Sequence, residues 1–369
     1  MSLSVLTKPL DAVIRELLPA RSKLVKIMAI GNYNGVNLGD NAILKTILYD
    51  LENLPAQITI PTRFPEMTKQ IYREGLRNEI ALVENKSPYR ELMRHSLRAE
   101  VIFVGGGTIY SKYAGPFVFV LPYYLTLMRL LGKKVIYYSQ GFDPSTVWYL
   151  RFAAYFSMIL ANKVSVRDVK SYRTLSFVRR FRKIELIADP VKHLLPYDSP
   201  EIQKFVTQDL EELSQKYPLK KKYVLTCFNY VKEEETNALL EQKLIQIVDH
   251  FAAEGKEVIM ASFQNATFFK RDDYRLNQKI KSLSKYPDKL HVVSEMLDPF
   301  TTIALMQKAD FLLAERLHSM VLAHLSQTDF FGISYQRKCT AFLEQINHAN
   351  FVELDALVEM NETELNALF

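Results

Sequence analysis

Two separate series of short apolar runs, interleaved with longer helix-like segments, constrain this chain more than any single motif. In the first series the strand-like runs are Lys26–Ile30, Gln57–Ile60, Glu100–Val104, Lys134–Tyr138 and Lys163–Val166. Helical patterns over Asp40–Leu51, Ser87–Leu97, Phe117–Leu131, Ser145–Leu160 and Val169–Val178 lie among them. The second series begins near residue 222, with strands over Tyr223–Phe228, Glu257–Ser262, Leu290–Val293, Phe311–Ala314 and Asp329–Ile333. Its helices read as Glu234–Ala253, Phe300–Lys308 and Leu317–Leu325. Strands alternating with helices predict βαβ units and parallel sheets. Continuous apolar strands such as Val101–Val104 suit a sheet covered on both faces. The expected fold is therefore α/β, two Rossmann-like domains facing a cleft. The first domain is predicted over 1–195, a linker with one helix over 196–222, and the second domain over 223–344; a C-terminal helix over 345–369 can return to the first domain.

Composition excludes several classes. The net charge is +6, from 47 Lys+Arg against 41 Asp+Glu, and reads as a modest excess spread along the chain. That favours an anionic small substrate or an anionic surface over a nucleic-acid groove. Two cysteines, Cys227 and Cys339, form no disulfide framework and no metal-ligand spacing, so a reducing compartment and no structural metal are expected. The N-terminus carries Asp11, Arg15 and Glu16 and lacks a secretory pattern, which points to the cytoplasm. The longest apolar run, Phe117–Met128, holds Pro122 and ends at Arg129. It is shorter than the roughly 18 residues of a membrane span and reads as a buried or an interfacial helix.

Chemistry-bearing residues gather after the strands. Gly31–Asp40 follows an apolar run and opens a helix, where backbone can approach an anion; Asp40 reads as that helix's cap. No GxGxxG is present, so a dinucleotide fingerprint is not supported. Gly105-Gly106-Gly107-Thr108 and Ser139-Gln140-Gly141 follow two further strands and read either as ligand-facing loops or as tight turns. Arg167, in Ser165–Asp168, can fork onto a carboxylate or phosphate, or can pair with Asp168 at a helix start. Asp189 can hold a hydroxyl, orient an arginine or cap a turn. In the second series Glu315-Arg316-Leu317-His318-Ser319 spans a strand-to-helix junction, with Leu317, Val321, Leu322 and Leu325 on the apolar helix face and Arg316 and His318 off it. The positive end of a helix disfavours the imidazolium, so His318 is expected as a neutral base. Lys338 lies beyond the next strand and can hold a phosphate or sit in a solvated loop.

In this order the motifs resemble the polysaccharide pyruvyl transferase family. The matching pieces are NxGDxxIL at Asn37–Leu44, the triple glycine, SQGxxP at Ser139–Pro144, SVRDxxSY at Ser165–Tyr172, ADP at Ala188–Pro190, ERLHS at Glu315–Ser319 and ISYxxK at Ile333–Lys338. The resemblance covers about residues 28–343. It implies a glycosyltransferase-B-like fold, phosphoenolpyruvate as donor, and a sugar of a cell-envelope or exopolysaccharide as acceptor, either free or linked to a polyprenyl diphosphate. His318, Arg167 and Lys338 are then the catalytic candidates. Arg316, Leu317, Arg167, Lys338, Gly106 and Gly107 are candidates for the donor; Asn37, Asp40, Gln140 and Asp189 are candidates for the acceptor. No metal or nucleotide cofactor enters the scheme. The family pattern has an arginine after the first strand of the second domain, where this chain reads Thr226-Cys227-Phe228-Asn229-Tyr230.

Competing readings are a nucleotide-sugar glycosyltransferase on the same fold and a non-catalytic saccharide-binding component of such a pathway. The basic stretch Arg173, Arg179, Arg180, Arg182 and Lys183, with Phe177 and Phe181, reads as an exposed helix face or as a peripheral contact with anionic lipid. No nucleic-acid partner is expected, because no basic-aromatic module is present.

Overall fold

The computed structural model describes residues 9–18, 24–72, 76–85, 90–110, 116–143, 146–195, 199–230, 234–265 and 272–369. The expected helix starts at Ser87 and Ser145, the linker start at 196–198, and Pro144 of the SQGxxP motif lie outside them.

The chain divides into two compact units. The first comprises residues up to 35 and 40–197; the second comprises 36–39 and 198–369. The first unit holds strands β1 (Val25–Ile30), β2 (Ala56–Thr62), β3 (Glu79–Glu84), β4 (Val101–Gly105), β5 (Lys134–Gln140), β6 (Lys163–Val166) and β7 (Glu185–Leu186). Its helices are α1 (Leu10–Leu17), α2 (Leu38–Asp50, whose first two residues pack with the other unit), α3 (Pro65–Lys69), α4 (Arg90–Arg98), α5 (Pro116–Leu130), α6 (Trp148–Leu160) and α7 (Val169–Thr174). All strands pair in parallel, in the order β3-β2-β1-β4-β5-β6-β7.

The second unit holds helix α8 (Pro200–Lys216), then β8 (Tyr223–Cys227), α9 (Glu234–Ala253), β9 (Glu257–Met260), α10 (Asp273–Leu283), β10 (Leu290–Val292), α11 (Pro299–Lys308), β11 (Phe311–Ala314) and α12 (Leu317–Leu325). It closes with β12 (Phe331–Ser334), α13 (Arg337–Gln345), β13 (Phe351–Glu353), α14 (Leu354–Glu359) and α15 (Glu362–Asn366). Its order, β10-β9-β8-β11-β12-β13, repeats the scheme of the first sheet, with the chain reversing direction across the sheet between β8 and β11 as it does between β1 and β4. In such doubly wound sheets that reversal point, at the carboxyl ends of the strands, is where ligands bind.

The sequence pattern explains the layers. Alternate residues of the central strands, such as Met28, Ile102, Val135 and Val164, meet Leu121, Leu125, Leu150 and Met158 from α5 and α6 on one face. Their neighbours Ile27, Phe103 and Ile136 are buried on the other. Pro122 does not end α5, which runs through it.

Three expectations change. The segment after 345 is no single helix and does not return to the first unit. Its β13 pairs with β12, and α14 and α15 pack on α9, with Leu357 and Leu365 in the second core. The linker helix α8 packs on α11 and belongs to the second unit. The helix read over Val169–Val178 stops at Thr174, and a separate 3-10 turn covers Val178–Arg180.

Candidate active site

Each unit gathers charge at its reversal point. In the first, the Tyr33 hydroxyl, after β1, donates to the Gly105 carbonyl at the end of β4, 2.7 Å away. Gly106 follows with φ +79, a left-handed conformation that glycine adopts without strain. A methyl group there would fall 2.0 Å from Ile43 Cγ2, and the Gly106 N–H already donates to the Tyr138 carbonyl. Gly107 is different: the nearest neighbour of a methyl group there would be Asp40 Oδ1 at 3.7 Å, an ordinary contact, so of the three glycines it alone has room for an added side chain.

Arg167, directly after β6, turns back over this loop. Its Nη1 donates to Asp189 Oδ2 at 2.8 Å and its Nη2 to Thr108 Oγ1 at 2.9 Å. Asp189 also receives the Val191 N–H, and Asp168 caps α7 by accepting from the Ser171 N–H, so Arg167 pairs with Asp189 and not with its neighbour. Ser139 holds a positive φ of 47, unusual for a residue with a side chain, and is pinned by bonds to Ser165 and Ala188. Next to it the fully buried Gln140 donates to the carbonyls of Gly107 and Gly141, while its Oε1 has no hydrogen-bond partner among the described residues. Asp40 does not cap α2. The Asn37 side chain accepts from the Gly39 N–H at 2.9 Å and takes that place, and Asp40 accepts from Asn32.

In the second unit Arg316, after β11, is held by a fork. Its Nε and Nη2 donate to the two oxygens of Asp273, at 3.0 and 2.5 Å, and Nη2 also reaches Gln264 Oε1 at 3.0 Å. Asp273 is fully buried and accepts two backbone N–H bonds as well, from Tyr230 and Gln264. Beside it lies Glu315, also fully buried. One of its oxygens accepts the Asn229 N–H across the reversal point, and the other has no hydrogen-bond partner among the described residues. Burial, helped by the neighbouring Asp273 charge, outweighs the opposing pull of the Asn229 N–H and Arg316 and pushes the Glu315 carboxyl up to about 8. A protonated carboxyl at neutral pH results.

His318 is the second residue of α12, at the positive end of that helix. Residues 36–39 pack against this corner. The Leu38 N–H donates to the Phe263 carbonyl at 2.8 Å, and Asn37 bridges Gln264. A methyl group on Gly39 would fall 2.1 Å from His318 Nδ1, so the glycine lets backbone lie flat against the imidazole. Lys338, exposed in the first turn of α13, extends over the Tyr335 ring at 5.5 Å. Leu317 opens α12 and is half-buried. Cys339 is buried beneath, its thiol pushed up to about 12 by burial.

A family model described as polysaccharide pyruvyl transferase matches residues 37–337, most of the chain. The chain belongs to the polysaccharide pyruvyl transferase family. No curated protein matches it significantly. Among solved structures, UDP-N-acetylglucosamine 2-epimerase from Neisseria meningitidis, bound to UDP-GlcNAc, has a TM-score of 0.60 at 10% identity, over 91% of this chain and 90% of that one. The Methanocaldococcus jannaschii UDP-GlcNAc 2-epimerase in complex with UDP-GlcNAc and UDP gives 0.57 at 13%, over 93% of each. At such identities the likeness is one of fold, and it agrees with the glycosyltransferase-B-like pair of Rossmann units expected from sequence.

The motifs of this pyruvyl transferase family member fall into two sets. Gly107, Gln140, Arg167 and Asp189 meet in the first unit; Asn37, Arg316, Leu317 and His318 meet in the second. Sequence reasoning missed Thr108 as an arginine partner, and it missed Asp273, Gln264 and Glu315 as a network. Asp273 lies 43 residues from Arg316, and no local spacing marks the pair.

Proposed function

We propose that this chain transfers a pyruvyl group from phosphoenolpyruvate to a saccharide of a cell-envelope or exopolysaccharide, forming a cyclic ketal. The observation that carries the reading is His318 at a helix N-terminus, with Gly39 backbone against its ring and Arg316 locked beside it. Donor-binding roles are proposed for Arg167 in the first unit and for Arg316, Leu317 and Lys338 in the second. Phosphoenolpyruvate carries a carboxylate and a phosphate, and fixed cations with spare N–H groups suit both. Two guanidinium nitrogens of Arg167 are engaged, which leaves Nε without a hydrogen bond among the described residues. Asp273 orients Arg316 and balances its charge.

The chemistry balances without an oxidant or a metal. The donor's methylene carbon takes a proton, which makes the adjacent carbon electrophilic. One sugar hydroxyl adds there, phosphate leaves with its electron pair, and a second hydroxyl closes the ring. Of the two protons that the hydroxyls release, one balances the proton added to the methyl group and one goes to phosphate. His318 is proposed to move the proton at the attacking hydroxyl. The proposed acceptor side includes Asn37, Asp40, Gln140 and Asp189, although in this structure Asp189 and Gln140 are occupied in holding Arg167 and the Gly107 loop. A polyprenyl-diphosphate-linked acceptor on the cytoplasmic side of a membrane fits the proposal, and no helix among the described residues is long and apolar enough to cross one.

The test is phosphate release from phosphoenolpyruvate with a panel of free and lipid-linked glycans, with mass spectrometry for a gain of pyruvate minus water. Release that depends on a glycan supports the reading. Cleavage of a nucleotide sugar without use of phosphoenolpyruvate would replace it with the nucleotide-sugar transferase, a reading that the UDP-GlcNAc held by the epimerase neighbours keeps in view.

A further inference from the structure

The chain's +6 is not spread along it, contrary to the first impression of the sequence. Residues 116–183 hold twelve lysines and arginines against two acids, Asp143 and Asp168, a formal +10 that leaves −4 for the rest. Thirteen of the eighteen large apolar side chains exposed among the described residues fall in the same stretch. They are organised. On α5, Phe119, Tyr123, Leu127 and Leu130 recur at helical spacing on the side opposite the buried Leu121, Leu125 and Met128. On α6, Trp148, Phe152 and Phe156 form a second stripe, with Trp148 74% and Phe152 66% exposed. The two helices pack side by side, and the Phe119 and Tyr149 rings stack at 6.1 Å. The 3-10 turn Val178–Arg180 packs on α6 and is flanked by Phe177 and Phe181, whose rings lie 5.3 Å apart, beside exposed Arg173, Arg179, Arg180 and Lys183.

All these elements cover one face of the first sheet, so their outer sides form one surface. At the size of these residues it exposes on the order of 1,000 Å² of side chain, where a soluble monomer's largest apolar patch is a few hundred Å². Neighbouring α4 adds Arg90, Arg94 and Arg98 around a depression of about 650 Å³.

We propose that this face docks the first unit onto an anionic lipid bilayer. The aromatic rings would enter the headgroup layer, where Trp and Tyr are favoured, and the surrounding arginines and lysines would meet lipid phosphates. A second copy of the chain is a poor occupant, because self-association would set two strongly basic faces against each other. A nucleic acid is a poor one as well: Leu127 and Leu130 offer no ring for a base to stack on. The inference stands independently of the pyruvyl-transfer reading.

Co-sedimentation of the full chain with vesicles tests it. The wild type is expected to pellet with phosphatidylcholine–phosphatidylglycerol vesicles, and about tenfold less with phosphatidylcholine alone or in high salt. Trp148→Ser with Phe152→Ser, and separately Arg173→Gln with Arg180→Gln and Lys183→Gln, should each cut binding about tenfold while thermal melting stays within a few degrees of wild type. The replacements lie on the surface, and phosphate release with a soluble glycan should persist in both. A wild-type protein that stays in the supernatant with the anionic vesicles overturns the proposal. So does a concentration-dependent dimer that Trp148→Ser with Phe152→Ser converts to monomer, which would assign the face to a second copy.

Discussion

The two units share a strand order and a device, an arginine after a strand tip held by an aspartate, yet they surround it differently. In the first, Asp189 remains 16% exposed and Arg167 shares its charge with an exposed threonine. In the second, Asp273 is fully buried, takes two backbone N–H bonds besides Arg316, and sits against a second buried acid, Glu315. A pair at the edge of water can yield to an incoming anion. A buried network cannot exchange partners cheaply, so it serves to fix direction. The difference suggests that Arg167 is the adaptable cation and Arg316 the rigid one.

The largest expected effect comes from the group that the rigid network frames. His318→Ala should fold normally and lose about 10²–10⁴-fold in turnover, the usual share of general acid–base help. Phosphate release together with an unchanged melting temperature checks this, and wild-type turnover would remove the imidazole from the mechanism. Next come the two aspartates. Asp273→Asn should cost about 3–5 kcal/mol in urea unfolding, because it removes a fully buried carboxylate that holds Arg316 and two backbone N–H groups, whereas Asp189→Asn, at a partly exposed carboxylate, should cost about 1–2 kcal/mol, between the surface and buried limits. Equal costs would break the contrast between the corners.

Two glycines separate chemistry from folding. Gly39→Ala must move the His318 ring and should lower turnover about 10²-fold with little change in stability. Gly106→Ala meets Ile43 in a left-handed backbone and should instead cost about 1–3 kcal/mol of stability. A last effect concerns pH, and it contrasts the two ends of the second sheet. Glu315 has its carboxyl raised to about 8 by burial. The native state therefore keeps a proton that the unfolded chain gives up, and stability should fall as pH rises from about 4.5 to about 8, by at most about 1.4 kcal/mol per unit. Glu257, at the opposite end of its strand, is less deeply buried, and His291, Lys221 and Lys289 outweigh burial and hold it at about 2. Its contribution is present above about 4.5 and is lost as pH falls towards 2. Glu315→Gln should flatten the slope on the alkaline side and Glu257→Gln the slope on the acid side, as read from melting temperature across the range.

Much of the fold was legible because the central strands are apolar on both faces. The runs ending at Ile30, Val104, Val166 and Ala314 declare themselves, and β6 and β11 match the expected bounds. The edge strands were not legible. The β3 strand, Glu79–Glu84, has a single buried residue, and β13 has three residues that resemble the start of a helix. At the site, sequence could place arginines after strands, but it could not supply their partners. Asp189 was visible as one of three options, whereas Asp273 is the first residue of α10, 43 residues away. Asp40 looked like a helix cap because acids usually are, but Asn37, one residue before the helix, takes that place. Summed charge hid the concentration of arginine in one stretch, because acids elsewhere cancel it.

The four residues 36–39 make the division of labour indivisible at the level of the gene. They are encoded between the first strand and its helix, yet they complete the surroundings of a histidine encoded nearly 280 positions later. A fragment beginning at 198 would keep the imidazole and lose the backbone that lies against it. Neither half of this protein can therefore be exchanged, shuffled or expressed alone without carrying a short piece of the other's reading frame.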